Sequence, residues 1–149
     1  MGKLKEARPL CEEALQGTRE TLGDRHQVTL GSINNMSTLL IKMFLLEEAR
    51  PLLKESLQAC RATLGDRHPH TLTSMHNMGM LLSYMYGARL NGHGGEAAAE
   101  LPAELQEARL LLEEVLQARR ETLGDRHPDT QSSVLRLAGL QKLKAETED

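Results

Sequence analysis

The chain has 149 residues, a net charge of −3 and a pI near 6.1. This length fits one compact domain or one short array, and the acidic balance offers no basic field to nucleic acid or an anionic membrane, so we exclude both as partners. Aromatic residues make up only 2% of the sequence while methionine occurs seven times, which predicts a helical core of Leu, Met and Ala.

The start of the chain, MGKLKEARPL, lacks the apolar core of a signal peptide, and no run of 18 apolar residues follows. Cys11 and Cys60 lie far apart in helix-like segments, which favours free thiols in a reducing compartment. We therefore predict a cytoplasmic location.

One long segment occurs three times, at Glu6–Leu30, Glu48–Leu72 and Glu107–Gln131, and each copy contains TLGDRH. The glycines of this motif are 42 residues apart between the first two copies and 59 between the last two, which leaves a 17-residue insertion in the final unit. Self-similarity at a fixed period predicts a solenoid, in which each unit buries its apolar face against its neighbours.

Each unit contains two helical segments, one before the GDRH motif (B-type) and one after it (A-type). In the second copy, Ala49, Leu53 and Ser56 recur at helical spacing. Gly65 predicts a left-handed helix end, and Pro69 fits the first turn of the next helix. The chain order predicts six helices in a single array over 1–149, at 4–22, 28–43, 47–64, 71–86, 105–123 and 128–145.

The insertion lies within the segment 87–104. Its glycines predict a mobile loop through about residue 95, and the EAAAE segment favours partial helix afterwards. We expect a tolerated insertion, so that deletion of Arg89–Ala103 leaves the array folded.

The GDRH motif has two interpretations, a repeated acid–base or metal site and punctuation between helices. Successive loops of a helical solenoid lie on the order of 10–20 Å apart, too far for their side chains to share one zinc ion. The sequence contains no phosphate loop, carboxylate dyad or nucleophile–base pair of any specificity. We predict a protein that is not an enzyme and uses no cofactor or metal.

The A-type segment MHNMGMLLSYM and the B-type segment LQEARLLLEEVL resemble the tetratricopeptide repeat. Met75, Met78-Gly79 and Leu82 occupy the characteristic places of its first helix, and Ala108, Leu112 and Val115 those of its second. The 42-residue period and the LGDRHP loop resemble the kinesin light chain branch of that family. The resemblance implies an all-α fold, a right-handed α-α superhelix of about six antiparallel helices, with two full repeats flanked by half repeats.

Arrays of this kind bind peptides or partner segments in a concave groove lined by the A-type helices. Among the lining positions, ten residues are our candidates for binding: Asn34, Asn35, Thr38, Lys42, Thr73, His76, Asn77, Met80, Tyr84 and Arg136. The resemblance therefore implies a protein or peptide partner. Asn35, Asn77 and Arg136 share one register and resemble the carboxylate-clamp subfamily, which grips the C-terminal carboxylate of an acidic peptide, so an acidic segment is the partner that this register implies. Gly31 and Ser132, however, stand where the clamp carries lysines. A groove that reads internal peptide segments is the alternative.

The ends of the array suggest a second function. The chain opens on a B-type helix, as a fragment of a longer scaffold would, and its stripe of Leu4, Ala7, Leu10, Cys11 and Ala14 predicts a weak symmetric homodimer. At the other end Gln141 replaces Leu40 and Leu82, which predicts a polar cap that stops further stacking. A structural, self-associating helical repeat is therefore the alternative to a peptide-binding module.

Overall fold

The computed structural model describes the backbone of residues 2–90 and 101–148, and the side chains of 2–89 and 103–143. Within these ranges the chain forms six helices and no strand, which confirms the predicted all-α fold class. The helices are α1 (Gly2–Leu22), α2 (Gln27–Lys42), α3 (Leu46–Leu64), α4 (Pro69–Leu90), α5 (Leu101–Leu123) and α6 (Pro128–Glu148). None of them has the length and apolar character needed to cross a membrane.

The GDRH motif ends each B-type helix and begins each A-type helix, as predicted. Gly23, Gly65 and Gly124 have φ near +84°. Gly65 has ψ of 165°, which carries it beyond the ordinary left-handed region into one that only glycine adopts. Pro69 and Pro128 open α4 and α6, where a missing N–H costs no helical hydrogen bond.

A histidine caps each A-type helix. The Nδ1 atoms of His26, His68 and His127 accept hydrogen bonds from the backbone N–H two residues later, each at 3.2 Å. This bond satisfies one of the N–H groups left unpaired at a helix start. The motif's histidine is therefore a capping residue.

The helices that flank the insertion are longer than predicted. α4 continues to Leu90 rather than ending at residue 86, and α5 begins at Leu101 rather than 105. In the extended turns the Arg89 guanidinium donates to the Glu104 carboxylate, and both side chains are largely buried. Deletion of Arg89–Ala103 would remove one partner of this pair, so the expected tolerance does not extend to Arg89. The predicted loop and helix within 91–100 lie outside the described residues.

The chain divides into two compact units, Met1–Asn77 and Met78–Asp149. In the first, α2 packs against both α1 and α3, around the fully buried Leu30, Ile33 and Leu53. In the second, α5 packs against α6, with Leu112 and Val115 fully buried. That the two units continue as one array stays a prediction.

Candidate peptide-binding surface

In the first unit, three of the predicted groove residues lie on one face of α2. Asn35 and Lys42 are exposed and Thr38 is half-buried, and their spacing of three and four residues places them along one helical stripe. Thr73 is half-buried on α4. All four side chains are accessible and polar, and we call the three on α2 the α2 surface.

Asn34 was predicted in the groove but lies in the interior, with 3% of its surface exposed. Its Oδ1 accepts hydrogen bonds from Ser56 at 3.2 Å and Ser74 at 2.9 Å, and its amide donates to the His70 carbonyl at 3.5 Å. These bonds satisfy a carboxamide that would otherwise be costly to bury. Asn34 therefore holds α2, α3 and α4 together and is not available to a peptide.

Asn77 is also withdrawn from solvent, with 5% of its surface exposed. Its amide donates to the Thr38 hydroxyl at 3.0 Å, and that hydroxyl donates to the Asn34 carbonyl at 2.8 Å. Asn77 thus orients Thr38 rather than presenting its own carboxamide. His76, the neighbouring predicted residue, is buried as well. Of the two asparagines that share one register, Asn35 is therefore exposed and Asn77 is buried.

In the second unit, Tyr84 and Arg136 form a pair. The Arg136 guanidinium donates to the Tyr84 hydroxyl at 3.0 Å, and its carbon lies 5.6 Å from the ring centroid. Both side chains are half-buried, and Met80 is buried. The phenol and the ring hold the cation without neutralising it, and no carboxylate pairs with Arg136 among the described residues.

The acidic residue of the GDRH motif also has a structural role. Asp24, Asp66 and Asp125 each pair with the arginine five residues earlier, at 3.3, 3.1 and 2.9 Å. The histidine caps the following helix, so the aspartate and the histidine of the motif both form contacts with residues close to them in the chain. The described part of the chain brings no three His, Cys, Asp or Glu side chains together at metal-binding distance.

Tetratricopeptide repeat profiles match residues 28–87, and also residues 1–27 together with 103–129. The matched segments cover all three copies of the GDRH motif. The chain belongs to the tetratricopeptide repeat family. No curated protein sequence matches it significantly.

Several solved structures share this fold. BtubC (BKLC) from P. vanneervenii matches 99% of this chain with a TM-score of 0.71 and 17% identity, and the match covers 52% of that protein. This tetratricopeptide repeat chain therefore spans about half the length of BtubC. The TPR-like repeats of a putative kinesin light chain from Podospora anserina match 99% of the chain with a TM-score of 0.51 and 22% identity, over 82% of that chain. A second crystal structure of those repeats, carrying one substitution, matches with the same TM-score and identity. The likeness confirms that the fold is shared with kinesin light chain repeats.

The sequence pattern predicted the A-type helices but did not indicate which of their polar residues face solvent. It did not distinguish the buried Asn34 from the exposed Asn35. It also did not predict the contact between Arg136 and Tyr84. The only sequence signal for the interior position of Asn34 was its spacing from Leu30 and Ser37 on the buried face of α2. The partners Ser56 and Ser74 come from other helices, so local spacing could not identify them.

Proposed function

We propose that the chain is a non-catalytic protein-interaction module that binds an acidic, extended segment of a partner protein along its A-type helices. Its membership of the tetratricopeptide repeat family supports a protein partner. Its free cysteines, one of them fully buried, fit an adaptor or scaffold of the cytoplasm.

The observation that carries the proposal is the state of Arg136. A guanidinium bonded to a neutral phenol keeps its full charge, and its remaining N–H groups can pair with a carboxylate. Partial burial raises the value of such a pair because water screens it less. The Tyr84 ring also fixes the position of the guanidinium, which reduces the entropy lost on binding.

The α2 surface offers a separate element of recognition in the first unit. The exposed Asn35 carboxamide can donate to and accept from a peptide backbone at once, and Lys42 adds a positive charge at the end of α2. Because Asn77 is engaged with Thr38, we favour an internal acidic segment over a grip on a free C-terminal carboxylate.

Binding of acidic peptides to the wild-type chain and to Arg136→Ala tests the proposal by calorimetry. We expect the substitution to weaken binding by about 1.5–3 kcal/mol, because a charge-assisted bond is lost. Arg126→Ala is the matched control, since it removes the same charge from an exposed loop position. Equal weakening by both variants would reduce the effect to net charge and contradict the proposal.

Two forms of the same peptide separate the two modes of recognition. An internal-segment mode predicts equal affinity for free-acid and amidated C-termini. A clear preference for the free acid would instead support the carboxylate clamp implied by Asn35, Asn77 and Arg136.

A further inference from the structure

The first helix exposes a face that its counterpart in the next repeat buries completely. The segments Glu6–Leu30 and Glu48–Leu72 are identical at 17 of 25 positions. In α3, four positions are fully buried: Ala49, Leu53, Ser56 and Cys60. Ser56 among them bonds to Asn34 of α2 and to Ser74 of α4. The equivalent residues of α1 are all half-buried or exposed: Ala7, Cys11, Ala14 and Thr18. Leu10 of α1 is 67% exposed. An A-type helix from elsewhere would therefore find in α1 the surface that α3 offers to α2.

Ion pairs join consecutive B-type helices in the first unit. Arg8 of α1 donates to Glu48 of α3 at 2.8 Å, and Arg19 donates to both oxygens of Glu55 at 2.7 Å. Each arginine also holds an acidic residue within its own repeat, Glu12 for Arg8 and Asp24 for Arg19. One guanidinium edge is thus used locally and the other reaches the next repeat.

The same charges recur, without cross-helix partners, at the two ends of the chain. Arg109 and Arg120 of α5 are equivalent to Arg8 and Arg19, and they keep the local partners Glu113 and Asp125. Neither arginine pairs with another helix within the described residues. The equivalents of Glu48 and Glu55 in α1 are Glu6 and Glu13, both exposed. α5 therefore carries two arginines, and α1 two glutamates, at the positions that form the ion pairs between α1 and α3.

The apolar residues at the two ends are complementary in the same register. Inside the first unit, Asn34 of α2 bonds to Ser56 of α3. Their equivalents are Leu135 of α6, which is 72% exposed, and Ala14 of α1. Each member of the buried polar pair is thus replaced by an apolar residue, one at each end of the chain. Gln141 is exposed as well. The end that we expected to be a polar cap therefore presents a polar side chain and also a large apolar one, that of Leu135.

We propose that a second copy of this chain docks head to tail, with its α1 on the α5–α6 pair of the first copy. In this arrangement α1 takes the place that α3 takes on the α1–α2 pair. Arg109 and Arg120 then pair with Glu6 and Glu13 of the second copy, and Leu135 packs against its Ala14. The contact is heterologous, so it adds copies in an open chain. Exposed ion pairs contribute little each, so the association is weak and is reduced by salt.

Charge reversal at each end tests the arrangement by sedimentation velocity over a concentration series. Arg109→Glu/Arg120→Glu and Glu6→Arg/Glu13→Arg each place like charges in contact, and we expect each to lower the association constant by at least about tenfold. An equimolar mixture of the two variants should recover association, because every junction in an alternating chain then joins opposite charges. Circular dichroism of each variant checks that these exposed substitutions leave the helices intact.

The symmetric dimer through α1 gives a different result, because Arg109 and Arg120 take no part in it. If Arg109→Glu/Arg120→Glu associates as the wild type does, or if the wild type stays monomeric to its solubility limit, the head-to-tail arrangement is wrong. Failure of the mixture to recover association would equally overturn it.

An apolar substitution provides an independent readout. Leu135→Ser should weaken association, whereas Leu110→Ser should leave it unchanged. Leu110 is an exposed leucine of α5, and its α1 counterpart, Pro9, remains exposed within the stacked first unit. Equal effects of the two substitutions would contradict the proposed contact.

Discussion

At the scale of single residues, Phe44 stands out because it has a positive φ of 58° without being glycine. It follows the end of α2, where its N–H donates to the Ile41 carbonyl and the N–H of Leu45 donates to that of Leu40. These are the two bonds of a Schellman motif, whose left-handed position glycine usually occupies. The Phe44 side chain is 69% exposed.

Phe44→Gly should raise the free energy of unfolding by about 1 kcal/mol, because glycine adopts this conformation without the clash that an L side chain makes. Urea denaturation measures the change. Phe44→Ala is the control, since it removes the ring but keeps the strain, and it should bring no gain in stability. A gain from both variants would assign the effect to the ring.

The lowered pKa of His70 predicts that the folded chain loses stability in acid. Burial, and then the neighbouring His68, lowers the pKa of His70 from its ordinary value of 6.5; the two rings are stacked with centroids 5.5 Å apart. The folded state thus favours the neutral imidazole. The stabilisation is fully present above pH 6.5 and is lost as the pH falls through the folded pKa, because the unfolded chain binds the proton more readily.

Unfolding free energies measured at pH 7, 6 and 5 test this linkage. His70→Gln should show a smaller fall between pH 7 and pH 5 than the wild type does. An unchanged pH dependence in the variant would assign the acid sensitivity to other groups.

At the scale of helices, Gly79 sets how closely α4 approaches α5. A Cβ at this position would come within 2.7 Å of the Leu112 Cγ and 3.3 Å of the Ala108 carbonyl oxygen. Leu112 is fully buried and the carbonyl belongs to a helix, so neither atom can move aside freely. This contact explains why glycine occupies the middle of a helix, where it is intrinsically unfavourable.

Gly79→Ala should therefore destabilise the chain by about 1–3 kcal/mol through overpacking. Gly139→Ala is the matched control, because Gly139 lies in α6 with open space around it and alanine there should stabilise the helix by up to about 1 kcal/mol. Thermal unfolding monitored by circular dichroism compares the two. Stabilisation by both substitutions would contradict a tight α4–α5 contact.

Arg89 and Glu104 join the same two helices electrostatically. Because both side chains are largely buried, removing one partner leaves the other charge with less compensation. Arg89→Ala should cost about 3–5 kcal/mol, and Arg89→Ala/Glu104→Ala less than the sum of the single changes. A double-mutant cycle measures that difference, and additive effects would show that the pair is not coupled.

At the scale of the whole molecule, head-to-tail docking links stability to concentration. Binding that occurs only in the folded state stabilises it, by about 1.4 kcal/mol when the concentration reaches ten times the Kd. The Tm of the wild type should therefore rise with protein concentration, while that of Glu6→Arg/Glu13→Arg should stay constant. Scanning calorimetry across a hundredfold range checks both, and a constant wild-type Tm would contradict the link.

The sequence by itself determined the helices and the turns between them. Helical periodicity, the glycine that ends each B-type helix and the proline that opens α4 and α6 act within a few residues of one another, so they are readable from the order of residues. The repeat period also indicated the family, because recurrence of one segment implies recurrence of one structural unit.

Only the tertiary structure decided which polar residues are available for binding. Asn34 and Asn35 are neighbours in sequence, yet one is enclosed by Ser56, Ser74 and the His70 carbonyl while the other is exposed. Arg136 acquires its position from Tyr84, 52 residues earlier. Burial and hydrogen bonding of a side chain depend on helices brought together from distant parts of the chain, and no local pattern specifies those neighbours.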